Sequence, residues 1–213
     1  MILIRFFPLF LLYTVCFGYY THGQDLCQKH NIGIRAGIGA ASSWGKPHFD
    51  EAIIRLHAGM SYEYRPHHNW GVETGVYLQT KGGAKTYDGV TTKLNLWYLE
   101  LPILCNYHIH CKQIEFIPFI GFYYGYCMKG ELRDKYGSVS WLGKYEKKRL
   151  VRSDWGARLG GGISWRHIYF AIGYDWGLSN IGVRTLKYQY GEKIPIGMRL
   201  KTGLFFTTVG WNF

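Results

Sequence analysis

Beyond its N-terminal segment the sequence lacks any long apolar run. No later stretch reaches 18 uninterrupted apolar residues, so no helix is expected to span a membrane. Charge is scarce as well: charged residues make up 18% of the 213-residue chain, below the roughly 25% of an average soluble domain. Acidic residues are the scarcer sign, 14 against 25 Lys and Arg, which leaves a formal net charge of +11. Signatures of chemistry are missing too. No Gly-x-Ser-x-Gly occurs, which removes the nucleophile elbow, and the cysteines match no zinc-ribbon spacing. Mean hydropathy is slightly negative, at −0.13, far below that of a helical membrane protein. What is abundant is aromatic side chains, 18%, and glycine, 28 residues. A chain rich in both yet not hydrophobic on average suits strands with one apolar and one polar face.

The N-terminus has the layout of an export signal. Met1 to Arg5 carries one positive charge, and Phe6 to Phe17 is an apolar segment within the ~7–15 residues of a signal core. Thr21 and Gly23 are small residues at −3 and −1 for cleavage before Gln24. Residues 1–23 are therefore expected to be a signal peptide and 24–213 a single barrel domain. The apolar segment is short of the ~20 residues a spanning helix needs. Val15 before Cys16 stands where a lipid-attachment signal has a small residue. Export takes the chain away from nucleic acid, so the basic balance is expected to serve anionic lipid headgroups. Cys27, Cys105, Cys111 and Cys127 remain after cleavage in an oxidising compartment, with three pairings open.

Period-2 alternation recurs in eight stretches: 31–42, 53–64, 70–81, 93–108, 114–128, 153–165, 168–178 and 197–213. In the second, Ile54, Leu56, Ala58, Met60, Tyr62 and Tyr64 alternate with Arg55, His57, Gly59, Ser61 and Glu63. In the fourth the phase slips near Trp97, which predicts a bulge. A soluble β-sandwich shows the same period; connection lengths separate the two. Short links at 65–69, near His110 and at 166–167 alternate with long ones at 43–52, 82–92, 130–152 and 179–196. Tight periplasmic turns and longer external loops give that alternation. Aromatics gather at the periplasmic strand ends (Tyr62, Tyr64, Trp70, Tyr107, Trp165, Trp211, Phe213) and at the external ends (Tyr124, Tyr126, Trp155, Tyr174, Trp176), as two interfacial girdles do. The fold expected is all-β: an eight-stranded antiparallel up-and-down transmembrane β-barrel of the bacterial outer membrane, with both mature termini periplasmic.

An eight-stranded barrel has just enough room for side chains to fill it. The polar faces should then pair their charges inside. The expected lumen network is Arg35, Arg55, Glu73, Glu100, Glu115, Asp154, Arg158 and Asp175, with Arg158 and Glu100 at similar height. The third external loop is basic, and Lys147, Lys148 and Arg149 are expected to contact lipopolysaccharide phosphates. Trp211 and the terminal Phe213 are expected to signal to the barrel-assembly machinery. No catalytic residue is assigned: His48 and Asp50 sit in the first external loop, but the chain is too short for ten strands with tall loops. His67, His68, His108, His110 and Cys111 cluster on neighbouring turns and are read as polar turn residues, so no metal or cofactor is expected.

Three motifs carry a family likeness. Tyr98-Leu99-Glu100-Leu101-Pro102, Pro118-Phe119-Ile120-Gly121 and Gly173-Tyr174-Asp175-Trp176-Gly177-Leu178-Ser179-Asn180-Ile181 resemble, in order and spacing, the strands of the PorT-like outer-membrane β-barrel domain family, small barrels similar in architecture to OmpA and OmpX. The extra cysteines and the basic third loop depart from the family pattern. The resemblance implies a location and a fold; some members serve protein secretion. The function expected is that of a non-enzymatic barrel with a filled lumen in envelope structure, adhesion or surface interaction, with an unidentified protein partner. A narrow porin-like channel or a secretion-apparatus component is the other reading.

Overall fold

The structure is a computed structural model that describes residues 29–46, 49–87, 89–140, 150–182, 184–189, 192–197 and 199–213. The segment 1–23, Cys27, His48 and the loop residues Lys147, Lys148 and Arg149 lie outside the described residues. The strands are β1 His30–Lys46, β2 Phe49–Tyr64, β3 Trp70–Tyr87, β4 Val90–Tyr107, β5 Ile109–Cys111, β6 Ile114–Asp134, β7 Gly137–Ser140, β8 Ser153–Trp165, β9 Ile168–Gly177, β10 Arg184–Gln189, β11 Glu192–Gly197 and β12 Arg199–Asn212.

Alternating side chains make a two-faced ribbon, and a ribbon with one lipid-compatible face must hide its edges from hydrocarbon. Eight strands do so by closing on themselves. The antiparallel ring runs β1, β2, β3, β4, β6, β8, β9, β12. β12 returns to β1 without a register break, from Gly33 opposite Asn212 to Lys46 opposite Arg199. β5 prolongs β4 beyond His108 and stays on β6.

The wall is inverted relative to a soluble protein. Ile54 is 80% exposed and Phe122 66%, whereas Lys81, Glu100, Asp154 and Asp175 are fully buried. β4 alone reads off the layers of the interior: its inward residues, from the turn end to the loop end, are Asn106, Leu104, Pro102, Glu100, Tyr98, Leu96 and Leu94. Around Leu104 gather Ile117, Phe119, Tyr169, Leu204 and Phe206. Around Leu94 and Leu96 gather Phe49, Leu200 and, from the connections, Leu150 and Ile181. Backbone bonds tie these last two inward, Val151 N–H to Ile181 O at 2.7 Å and Ile181 N–H to Leu200 O at 2.9 Å. Burying a side chain of this size contributes about 1.5–3 kcal/mol, so the loop end is stoppered by an apolar plug. Gly160 and Gly173 face each other on β8 and β9. A Cβ at either would come within 2.5 Å of Phe119 Cζ or Phe206 Cζ, so only glycine lets these rings lie against the wall.

Two expectations are corrected. Among the described residues the connections 43–52 and 82–92 and the segment 130–140 are largely strand: β1 runs on to Lys46 and β2 starts at Phe49, β3 and β4 run on to Tyr87 and Val90, β6 runs to Asp134, and β7 folds back on it. These extensions lack an apolar face that would mark them in sequence, yet their backbone groups still satisfy one another by continuing the ladder. The slip near Trp97 is real in register but belongs to the partner strand. Trp97 pairs with Lys129 and Tyr98 with Cys127, so the extra residue is Met128 of β6. The phase of β4 reads as broken because Leu94 and Leu96 point into the plug.

Candidate functional site

The inward strand positions bring five charged side chains together at mid-barrel. Arg158 of β8 donates Nε–H to Asp175 Oδ1 at 2.6 Å and Nη2–H to Asp175 Oδ2 at 2.8 Å. Its Nη2 also contacts Glu100 Oε1. Lys81 Nζ lies 2.8 Å from Glu100 Oε2 and 3.5 Å from Asp154 Oδ2, and 3.7 Å from the centre of the Tyr123 ring. Asp154 accepts hydrogen bonds from Ser179 Oγ at 2.6 Å and Thr202 Oγ1 at 2.9 Å. Charges taken out of water cost several kcal/mol each unless geometry and further hydrogen bonds compensate, and here each carboxylate accepts at least two contacts, Asp175 both of them from Arg158. Two of the motif residues quoted above, Glu100 and Asp175, are carboxylates of this knot.

A second polar cluster closes the turn end. His108, between β4 and β5, sets Nε2 2.7 Å from Glu63 Oε1 and Nδ1 3.0 Å from Glu115 Oε1. Arg65 donates Nε–H to Glu63 at 2.9 Å and Nη1–H to Glu115 at 3.2 Å. Asn106 Nδ2 donates to Glu63 at 2.7 Å and to Glu73 at 3.0 Å. Burial alone would lower the pKa of His108, but its bonds to Glu115 and Glu63 outweigh that and hold it above the ordinary histidine range. His110 Nε2 reaches the same Glu115 oxygen at 2.9 Å and stacks on His68 with ring centres 4.4 Å apart. Among the described residues no group of three or more His, Cys, Asp or Glu is arranged to hold a metal ion. Cys105, Cys111 and Cys127 are not joined to one another.

The eight residues expected to form one network thus fall into separate settings. Glu100, Asp154, Arg158 and Asp175 meet in the knot. Glu115 and Glu73 belong to the turn-end cluster through His108 and Asn106, and Glu73, level with Leu104, shares a small cavity with Arg35 and Arg158. Arg35 is buried over the Tyr169 ring at 4.1 Å, and its Nη1–H groups reach only the carbonyls of Ile34 and Trp211 at 3.4 Å. Arg55 pairs with no carboxylate among the described residues; Nη2 donates to Leu94 O at 2.8 Å and to Asn95 Oδ1 at 2.7 Å. Trp211 and Phe213 are exposed on the outer wall at the turn end, where Trp211 stacks on His167 and Phe213 N–H bonds Ile32 O at 2.9 Å. Lys81, Glu63, Arg65, Asn106 and His108 were not singled out as lumen residues. Lys81 had a usable signal, since it shares the inward parity of Glu73 and Gln79 on β3. The space left between the two polar clusters is a cavity of about 30 Å³ lined by Arg35, His57, Glu73, Gln79 and Arg158 among others, room for a water molecule rather than a substrate.

No curated protein matches the sequence. Solved structures similar to it include the outer membrane protein OprG from Pseudomonas aeruginosa (11% identity, TM-score 0.50, covering 86% of this chain and 95% of that one). Neisserial surface protein A (12%, 0.49, 85% and 97%) and Ail, the attachment invasion locus protein of Yersinia pestis (14%, 0.45, 87% and 100%), are also similar. Identities this low speak to fold alone. The family described as "Outer membrane protein beta-barrel domain" matches residues 24–182, most of the sequence. With an inverted, closed, eight-stranded wall and this match, the chain belongs to the outer membrane protein beta-barrel domain family and is a protein of the bacterial outer membrane.

Proposed function

We propose that this protein is a non-enzymatic barrel closed by its own side chains, which works in envelope structure or surface interaction through the loop end, facing outward. The observation that carries this reading is the double closure of the lumen. The Lys81–Glu100–Arg158–Asp175 knot crosses the middle, and the plug of Leu94, Leu96, Leu150, Ile181 and Leu200 sits above it. The cavity between the two polar clusters is too small to hold a substrate or to carry a hydrated ion through. A closed barrel has its outer surface and its loops left with which to act. The loop segment 141–149 contains Lys144, Lys147, Lys148 and Arg149 against Glu146, a charge balance suited to phosphate groups of lipopolysaccharide. The PorT-like likeness fits the same reading, since two of its motifs supply the carboxylates that close the lumen. Planar-bilayer recording tests it. The purified chain should give no discrete conductance steps, and reproducible steps would overturn the closed reading. Neutralising Lys147, Lys148 and Arg149 should weaken lipopolysaccharide binding; unchanged binding removes that loop from the contact.

A further inference from the structure

The outer face of the β4–β6 seam carries a charge arrangement that strand pairing works against. Beyond the Met128 bulge, Lys93 of β4 stands directly opposite Arg133 of β6. Paired residues point to one face, and here it is the outer one: Trp97, further down β4 with the same parity, is 48% exposed, and Lys93 and Arg133 are exposed with it. Like charges directly opposite on neighbouring strands destabilise a ladder. Lys135 follows at the end of β6 and adds a third cation. Among the described residues the carboxylates nearby are engaged elsewhere. Glu131 Oε1 lies 2.9 Å from Lys129 Nζ. Asp134 Oδ1 accepts the N–H groups of Tyr136 and Gly137 at 2.8 and 2.9 Å, so it caps its own turn. Lys93, Arg133 and Lys135 form no ion pair among the described residues. With Gly89, Thr91, Asn95 and Asp134 they line an open groove of about 580 Å³.

The height of this groove identifies what it meets. Trp97, like Tyr126 and Trp155 of the neighbouring strands, is an outward aromatic near the loop-end rim of the wall, the level at which amphipathic rings mark the headgroup boundary. The groove lies just beyond, on the side turned to the bilayer rather than to the lumen. We infer that it binds the phosphate of a phosphorylated glycolipid headgroup in the outer leaflet. Arg133 holds two phosphate oxygens in its planar fork, Lys93 supplies the opposing charge, Lys135 and Asn95 add donors, and Trp97 packs where the acyl chains begin. An anion between Lys93 and Arg133 converts their repulsion into a shared attraction. The inference rests on the orientation in the proposed function, with the loop end outward, but not on the lumen being closed.

The test uses the full chain in detergent micelles, with binding of bisphosphorylated lipid A followed by native mass spectrometry. Lys93→Gln with Arg133→Gln should weaken binding on the order of tenfold or more, the loss of two charge-assisted contacts, whereas Lys93→Arg should keep it. Dephosphorylated lipid A should bind no better to the wild type than to the double variant. Without lipid, the double variant should be at least as heat-stable as the wild type, because a like-charge pair has been removed. Equal lipid A binding by both proteins would overturn the inference. So would a lower lipid-free stability of the double variant, which would mark the pair as structural. Competition by inorganic phosphate as effective as that by lipid A would overturn the assignment to a lipid. Conductance of the wild type, recorded separately, reports on the closed lumen and not on this groove.

Discussion

Arg158 carries the largest consequence at the level of single residues. Among the described residues it is the one side chain that forms ion pairs with both Glu100 and Asp175. Replacing it with Met leaves Asp175 buried without an ion-pair partner among the described residues and Glu100 with Lys81 alone, which should cost about 3–5 kcal/mol in urea-induced unfolding from lipid vesicles. Adding Glu100→Gln and Asp175→Asn to that variant should recover a large part of the loss, since uncharged groups of the same shape no longer need a cation; no recovery would show that the guanidinium acts by packing instead. His108 gives a pH signature of known sign. Its folded pKa is raised by Glu63 and Glu115, so the stability it contributes is fully present below the ordinary histidine pKa. That contribution is lost as pH rises through the raised folded value. The stability difference between wild type and His108→Gln should therefore shrink with rising pH over that window, and a difference that grows would contradict the bridge. Neither residue was fully legible beforehand: Arg158 showed its face through alternation, while His108, which ends the fourth alternating stretch with the inward parity of Asn106, grouped in sequence with the histidines of the neighbouring turns.

Among the elements, β8 runs from Ser153 to Trp165 as its pattern indicates, because both of its ends are turn or loop residues without an apolar face. β3 and β6 run on past the alternating stretches 70–81 and 114–128, and the bulge sits on β6 although β4 carried its trace. Tight packing inside the wall predicts a contrast between two glycines. Gly173→Ala drives a Cβ toward Phe206 Cζ at 2.5 Å and should destabilise by about 1–3 kcal/mol, the usual cost of overpacking. A Cβ at Gly161 meets nothing within 4 Å, so Gly161→Ala should be close to neutral in the same unfolding assay. β12 is the element that completes the ring. Deleting Trp211 to Phe213 removes the pair Ile34–Trp211 and the Phe213 N–H bond to Ile32 O. The truncated chain should still be exported but should accumulate in the periplasm or be degraded. Normal outer-membrane levels on fractionation would rule out these residues as an assembly signal.

The molecule as a whole is a wall in which each of the eight ring strands has two neighbours, filled by two polar clusters and two apolar layers. A ring without an edge offers detergent no unpaired strand to attack. The purified chain should therefore stay folded in SDS at room temperature and migrate faster before heating than after; identical mobility would contradict the closed ring. That a barrel forms, which side chains face lipid and where the protein resides were determined by the sequence itself. The bilayer imposes its demand residue by residue, so the alternation of Ile54, Leu56 and Met60 with Arg55, His57 and Gly59 records it locally. Which inward charges meet was decided only by the tertiary structure. Alternation gives a side chain its face but neither its height nor its neighbour. Arg158 and Glu100, 58 positions apart, came together with Lys81 because stagger and strand order put them there, and Arg55 was carried to Asn95 instead of a carboxylate. The plug has the same origin: Leu94 and Leu96 can face inward because the level at which they stand is the stopper of the lumen, and a level is a property of the closed ring.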